Sequence, residues 1–309
     1  MKEINKILIT IIILLVGNIS NALAGVAVTG APILQQNNNA VLVSLAGSGV
    51  GQFGNFANAE VNPAAIGSLQ KNHISFTHFN LDEQLNTEYL SGVIPIANLG
   101  VIGCQALYNS QPDIDNLEDS SLAVEVKDIL IGINLATNLW QKINLGFNTK
   151  ILNLTLDDIN TTSVIFDVGL QYEINDDLAL GLVARNLGSE ISIGKSKEAL
   201  PRTLALGTNF TLLTIDRHSL STNLDVVYIS QEENMEINVG IEYWFQYLVA
   251  LRTGYKYSKL TSLDKVFFGL GLNFKIKQTR LTIDYTLTPI SMLETDFSLR
   301  NTLSLGVVF

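Results

Sequence analysis

Residues 164–172 read Val-Ile-Phe-Asp-Val-Gly-Leu-Gln-Tyr, VIFDVGLQY. Val164, Phe166, Val168, Leu170 and Tyr172 fall on one face of an extended chain, opposite Asp167, Gly169 and Gln171. Successive side chains of a strand point to opposite faces, so this period of two predicts a strand with one greasy and one small, polar face. The pattern recurs outward in both directions. In INLGFNTK, Ile143, Leu145 and Phe147 oppose Asn144, Gly146, Asn148 and Lys150. In KVFFGLGLNF, Val266, Phe268, Leu270, Leu272 and Phe274 oppose Gly269, Gly271 and Asn273. At the end, Phe297, Leu299, Leu303, Leu305, Val307 and Phe309 share a face that only Asn301 interrupts.

Followed along the chain, the alternation predicts about fourteen strands between residues 73 and 309. The spans are 73–81, 85–96, 100–110, 122–136, 143–157, 161–174, 178–187, 200–213, 218–230, 235–245, 247–258, 264–276, 279–288 and 296–309. Globular strands run about 5–6 residues, whereas strands that cross a bilayer at a tilt need about 9–11. Short links (97–100, 175–177, near Phe245-Gln246, at Gln278) alternate with longer polar ones (109–121, 188–200, 258–264), as in outer-membrane barrels. The polar faces carry Gly, Ser, Thr and Asn rather than the Lys and Glu of a soluble sandwich, the alternative weighed. The expected fold is therefore all-β: a transmembrane antiparallel β-barrel of about 14 strands with an N-terminal luminal plug segment. Asp225, Glu242, Arg252, Lys256, Asp284 and Arg300 are expected to face the lumen, because a charge facing lipid at mid-depth costs roughly 2–4 kcal/mol. Tyr243, Trp244, Phe245, Tyr247, Tyr255 and Tyr257 are expected mostly toward lipid, as an interfacial girdle.

Composition narrows the function. Of 309 residues, 47% are hydrophobic and 16% charged, and the net charge is −10. The acidic balance argues against nucleic acid and against electrostatic docking on anionic lipid. Lone Cys104, in an apolar run, reads as a small packing residue, and three scattered histidines give no metal centre. The acidic stretch DIDNLED (113–119) lacks the full calcium-loop pattern and reads as a solvated outside loop. No cofactor and no catalytic constellation is expected.

Residues 1–24 read as a secretory signal peptide: Lys2 and Lys6, the apolar run ILITIIILLV (7–16), then Ala22-Leu-Ala24. Residues 25–72 are expected to form the plug, and 73–309 the barrel. Within the plug, Gly49-Val-Gly51-Gln-Phe-Gly54 matches G-x-G-x-x-G after an apolar run, the opening of a dinucleotide-binding turn. No βαβ unit follows, so Gly49, Gly51 and Gly54 are read as tight turns of the plug, and Asn62-Pro63 as a shaping turn.

Several blocks, in order, resemble the PorV/PorQ family, a group related to the FadL-type fatty-acid transporters of the outer membrane. They are NAEVNPAAIGSL (58–69), LALGLVARNLGSEI (178–191) with LPRTLALGTNF (200–210), NVGIEYWFQYLVALRTGYK (238–256) and FFGLGLNF (267–274). The ending SLGVVF, with Leu305, Val307 and Phe309, is similar to the terminal assembly signal of outer-membrane barrels. The family's Arg-x-Leu-Gly-Met-Gly-Gly-Ala block is replaced here by LVSLAGSGVGQFGNFANA (42–59). The resemblance implies a fourteen-stranded barrel in outer-membrane lipid, handled by the barrel assembly machinery. It implies one of two roles: escort of cargo with secretion-system subunits in type IX-like secretion, or passive transport of a hydrophobic small molecule. The second role would call for a greasy pocket above the plug and a lateral opening in an early strand.

Overall fold

The computed structural model describes residues 29–81, 85–97, 99–111, 126–194, 196–258, 265–293 and 296–309. The signal segment and the 113–119 stretch lie outside the described residues. The strands are β1 (His73–Leu81), β2 (Leu85–Ile96), β3 (Gly100–Gln111), β4 (Val126–Leu139), β5 (Ile143–Leu156), β6 (Ile159–Asn175) and β7 (Leu178–Gly188). A small hairpin follows, β8 (Ile191–Ile193) and β9 (Ser196–Glu198). Then come β10 (Thr203–Ile215), β11 (His218–Ile229), β12 (Asn234–Phe245), β13 (Val249–Ser258), β14 (Lys265–Ile276), β15 (Thr279–Leu293) and β16 (Asp296–Val308). All but β8 and β9 form one closed antiparallel barrel, in which each strand pairs with its chain neighbours and β16 closes on β1. Closure leaves no strand edge unpaired.

The alternation read from the sequence is the reason for closure in this form. Along β6, Val164, Phe166, Val168, Leu170 and Tyr172 are exposed, while Ile165, Asp167, Gly169 and Gln171 are buried. Along β4, Ile129, Ile131, Ile133 and Leu135 are 42–57% exposed, alternating with buried Leu130, Gly132, Asn134 and Ala136. A belt of bare isoleucine, leucine and phenylalanine would aggregate in water, whereas in lipid it is solvated. Even Asn301, the break in the last strand's apolar face, is provided for: it is exposed, and its Oδ1 accepts from the Tyr285 hydroxyl at 2.6 Å.

Six links at one end are short, at 97–99, 140–142, 176–177, 216–217, 246–248 and 277–278. That end also holds the entry to β1 and the terminus of β16. Asn72 and Phe309 exchange both backbone hydrogen bonds there, at 3.0 Å each. The opposite end carries the longer connections, including the β8–β9 hairpin.

Two expectations need correction. Cys104 is not packed inside: it is exposed on the outer face of β3, because the apolar run it sits in faces outward at that position. Trp244 does not join the outward girdle. It follows Gly240 and Glu242 on the inner face of β12, and the Arg252 guanidinium lies 5.4 Å from its ring centroid. Phe245, Tyr247, Tyr255 and Tyr257 are exposed as expected, at 40–46%.

Candidate functional site

Residues 29–72 run through the lumen in short elements. These are 3-10 turns at Pro32–Gln35, Phe56–Glu60 and Pro63–Ile66, and one helix, α1 (Ala40–Ser44). Each of the last three begins on an asparagine (Asn55, Asn62 and Asn39 respectively) whose side chain accepts a backbone N–H two residues on. Asparagine is among the best residues for this, which is why so polar a stretch can still fold compactly.

The plug touches the barrel nearly all the way round, and glycine makes that possible. The inner face carries Gly146, Gly169, Gly181, Gly240, Gly254 and Gly269 on six strands. A Cβ at each would collide with the plug: at Pro63, Asn62, Val50, Ser48, Ala46 and Ser44 respectively. The small residues read as a wet lining are thus the seats of the plug backbone.

Polar groups lock the contact. Gly49 N and Val50 N both donate to Asp225 Oδ2, at 2.7 and 3.0 Å. Asn62 Nδ2 and Gln171 Nε2 both donate to the Val50 carbonyl, at 2.8 and 3.0 Å. Gly49 has φ +151° and Gly54 φ +63°, conformations that suit glycine. Gly51 faces the β10 backbone, where a Cβ would lie 2.8 Å from the Gly207 carbonyl oxygen. Buried Pro63 follows Asn62 at the start of its turn.

The charged residues named from the sequence are brought to the inner side. Arg252 Nε donates to Glu242 Oε2 at 2.6 Å and its Nη1 to Asp284 Oδ1 at 2.7 Å, all three side chains at most 10% exposed. Lys256 pairs with Glu236 at 3.1 Å. Arg300 stacks 3.7 Å over the Phe79 ring and donates to the Asn37 carbonyl of the plug at 3.2 Å. In the last strand, Leu305 and Phe309 face outward, 47% and 52% exposed, while Val307 is half-buried at the rim of the lower chamber.

Sequence reasoning missed a second cluster, centred on Glu60. Its carboxylate accepts from Asn38 N (2.8 Å), Asn39 N (2.9 Å) and Asn38 Nδ2 (3.2 Å), tying two plug segments together. Burial pushes its carboxyl up to about 7, against the lowering effect of those hydrogen bonds. Beside it, Arg185 donates to the Glu60 carbonyl at 3.5 Å, and Lys150 pairs with Asp167 at 2.8 Å. A bulge in β7 creates this arrangement. Asn186 takes φ +58°, the register with β6 slips between Phe166 and Val168, and Arg185 and Asn186 both turn inward. The alternation alone would have put one of them outside. Nor did it place His78 and Glu88, which hydrogen-bond at 2.7 Å on the outer face near the longer-loop end.

Two chambers flank the plug. The lower one, at the short-turn end, is polar and about 650 Å³, bordered by Arg252, Glu242, Asp284, Arg280 and Trp244. The upper one, about 320 Å³, has walls of Val126, Leu154, Leu156 and Ile159 over a floor of Pro32 and Ile33, with Asn109, Asp128, Gln36, Thr155 and Thr161 as its polar groups. The upper inner wall is therefore mostly apolar rather than lined by small polar residues. Leu107, Leu130, Leu152 and Ile165 continue it around Ala31, Ile33 and Leu34, with Ile191 and Leu200 of the hairpin connection folded in from above. Between the chambers lie voids of about 20, 40 and 50 Å³, room for a few waters but not for an aromatic ring. The expected lateral opening is not present as a break in pairing: β1–β2, β2–β3 and β3–β4 run in unbroken register.

No family model matches the chain, and no curated protein matches it. Solved structures do. The Pseudomonas putida toluene transporter TodX superposes with a TM-score of 0.61 at 13% identity, over 88% of this chain and 97% of that one. The Ralstonia pickettii toluene transporter TbuX gives 0.61 at 13% identity, over 88% and 98%. A Pseudomonas aeruginosa FadL homologue gives 0.54 at 12% identity, over 89% and 98%. The closed fourteen-stranded antiparallel barrel is thus a FadL-like fold.

Proposed function

We propose that this chain is an outer-membrane channel for small hydrophobic molecules, with the short-turn end in the periplasm and the longer-loop end outside. The observation that carries the reading is the apolar chamber of about 320 Å³ at the outer end, closed below by the plug. A solute entering it exchanges water for leucine, isoleucine and valine walls, a gain of roughly 25 cal/mol per Å² of apolar surface buried. The ring-excluding voids beneath mean that passage requires the plug to shift. The cargo-escort role draws less support, because two of the structures this barrel resembles are named as toluene transporters.

The test is uptake of radiolabelled toluene by proteoliposomes holding the folded barrel. Acceleration over protein-free vesicles supports the channel. No acceleration, together with a changed set of secreted proteins in a deletion strain, would return the reading to cargo escort.

A further inference from the structure

The upper chamber is mostly apolar, its polar side chains besides Asn109 and Asp128 being Gln36, Thr155 and Thr161, and the corner at Asn109 and Asp128 is built. Thr87 Oγ1 donates to Asn109 Oδ1 at 2.7 Å, and Asn109 Nδ2 donates to Asp128 Oδ2 at 2.9 Å. Asn109 and Thr87 are buried, at 5% and 0% exposure, so the amide is fixed at both ends and so is the carboxylate it holds. Asp128 is half-buried on the inner face of β4, between Val126 and Leu130. Among the described residues no Lys, Arg or His pairs with it. Elsewhere in the lumen the interior carboxylates are neutralised or capped: Asp167 by Lys150, Glu242 and Asp284 by Arg252, and Asp225 by two plug N–H groups. Asp128 alone of these faces an apolar chamber with a single neutral partner.

A carboxylate so placed is an acceptor waiting for a donor. We propose that the upper chamber binds hydrophobic molecules carrying a hydrogen-bond donor, a hydroxyl or an ammonium, with the donor on Asp128 and the apolar body against Leu154, Leu156 and Ile159, and that it rejects carboxylates. The assignment rests on the channel reading for its purpose, though not for its geometry. A hydrogen bond to a charged acceptor at a half-wet site supports about a tenfold preference. A ligand carboxylate at the same corner meets like charge in a partly desolvated site, which disfavours its ionised form.

The test uses four probes of one size: toluene, benzyl alcohol, benzylamine (an ammonium at pH 7) and benzoate. Affinities are measured by titration calorimetry on the full barrel in lipid nanodiscs, with empty nanodiscs subtracted. Benzyl alcohol and benzylammonium are expected to bind about tenfold more tightly than benzoate. Asp128→Asn should bring benzoate to within about twofold of benzyl alcohol. Asn109→Leu, which frees the Asp128 carboxylate from its orienting amide, should weaken benzyl alcohol in the same direction and serves if D128N fails to assemble. Equal binding of benzoate and benzyl alcohol by the native chain, an unchanged ratio in both variants, or no binding of any probe overturns the assignment. Should the probes bind with the expected order yet fail to cross proteoliposomes, the channel reading falls and the site stands.

Discussion

The backbone N–H of Gly49 donates to Asp225 Oδ2 at 2.7 Å, and Val50 N shares that oxygen at 3.0 Å. The glycine-rich turn that looks like a phosphate cradle therefore does close on an acid group, but the group is the barrel's own carboxyl from β11. Removing it leaves two buried N–H groups without an acceptor. Asp225→Ala is expected to cost the plug seat about 2–4 kcal/mol, from two buried N–H groups left without an acceptor. Amide exchange at Gly49 and Val50 should speed up by at least tenfold, with Asp225→Asn close to native. Native protection in the alanine variant would show that the seat is held elsewhere.

The inner glycines make a separate prediction. A Cβ at Gly254 would strike the backbone of Leu45 and Ala46, and one at Gly146 the Pro63 carbonyl. Gly146→Val and Gly254→Val should unseat the plug at about 1–3 kcal/mol each while the barrel still closes. The measurement is limited proteolysis between residues 29 and 72 alongside heat-modifiable migration. A protected plug in both variants would contradict the packing described.

How much of this was legible beforehand depended on which environment each residue answers to. The strands were readable because lipid outside and a crowded plug inside impose opposite demands on alternate residues, as β6 shows from Val164 to Tyr172. Where a third environment intrudes, the reading fails. Leu152 and Ile165 turn inward because apolar plug residues and a greasy chamber lie behind them. Arg185 and Asn186 share a face because of a bulge that carries no periodic signal. Glu60 has no pattern at all in sequence: its role exists only because Asn38 and Asn39, about twenty residues away, fold back onto it.

The Arg252 triad tests what holds the inner wall of β12, β13 and β15. Arg252 answers two carboxylates at 2.6 and 2.7 Å. Arg252→Ala leaves both buried without a cation and is expected to destabilise the barrel by about 3–5 kcal/mol. Adding Glu242→Gln and Asp284→Asn to that variant should recover most of the loss, since the uncompensated charge is gone. Urea unfolding in detergent micelles reads both, and a triple variant no better than the single one would place the loss in packing instead.

Glu60 gives plug docking a pH dependence with a definite sign. Its carboxyl is raised from 4.5 to about 7 when docked, by burial, with Arg185 and the Asn38 and Asn39 hydrogen bonds working the other way. The docked state then holds a proton that the undocked, solvated state has already released. Docking is strongest below about pH 4.5 and weakens as pH rises toward 7. Proteolysis of the plug, measured from pH 4.5 to 8 with an acid-tolerant and a neutral protease calibrated on a peptide, should quicken across that window. Glu60→Gln should make the profile shallower. A flat native profile would mean that the three hydrogen bonds to the carboxylate outweigh its desolvation.

The upper chamber can also be filled from β5, at Leu154, which lies directly opposite Asp128 in the β4–β5 register. Leu154 lines it from β5, on the inner face and in contact with the cluster around Ile33 and Leu34. Leu154→Trp adds a ring's volume to a space of about 320 Å³, so the indole can occupy the void rather than force the wall apart. The barrel should assemble normally and toluene uptake by proteoliposomes should fall at least fivefold. Ile131→Trp, on the lipid face of the neighbouring β4, is the matched control and should leave uptake within twofold of native, because Ile131 is 57% exposed and points away from the lumen. If both variants transport alike, solutes reach the plug by a route that does not pass through this chamber.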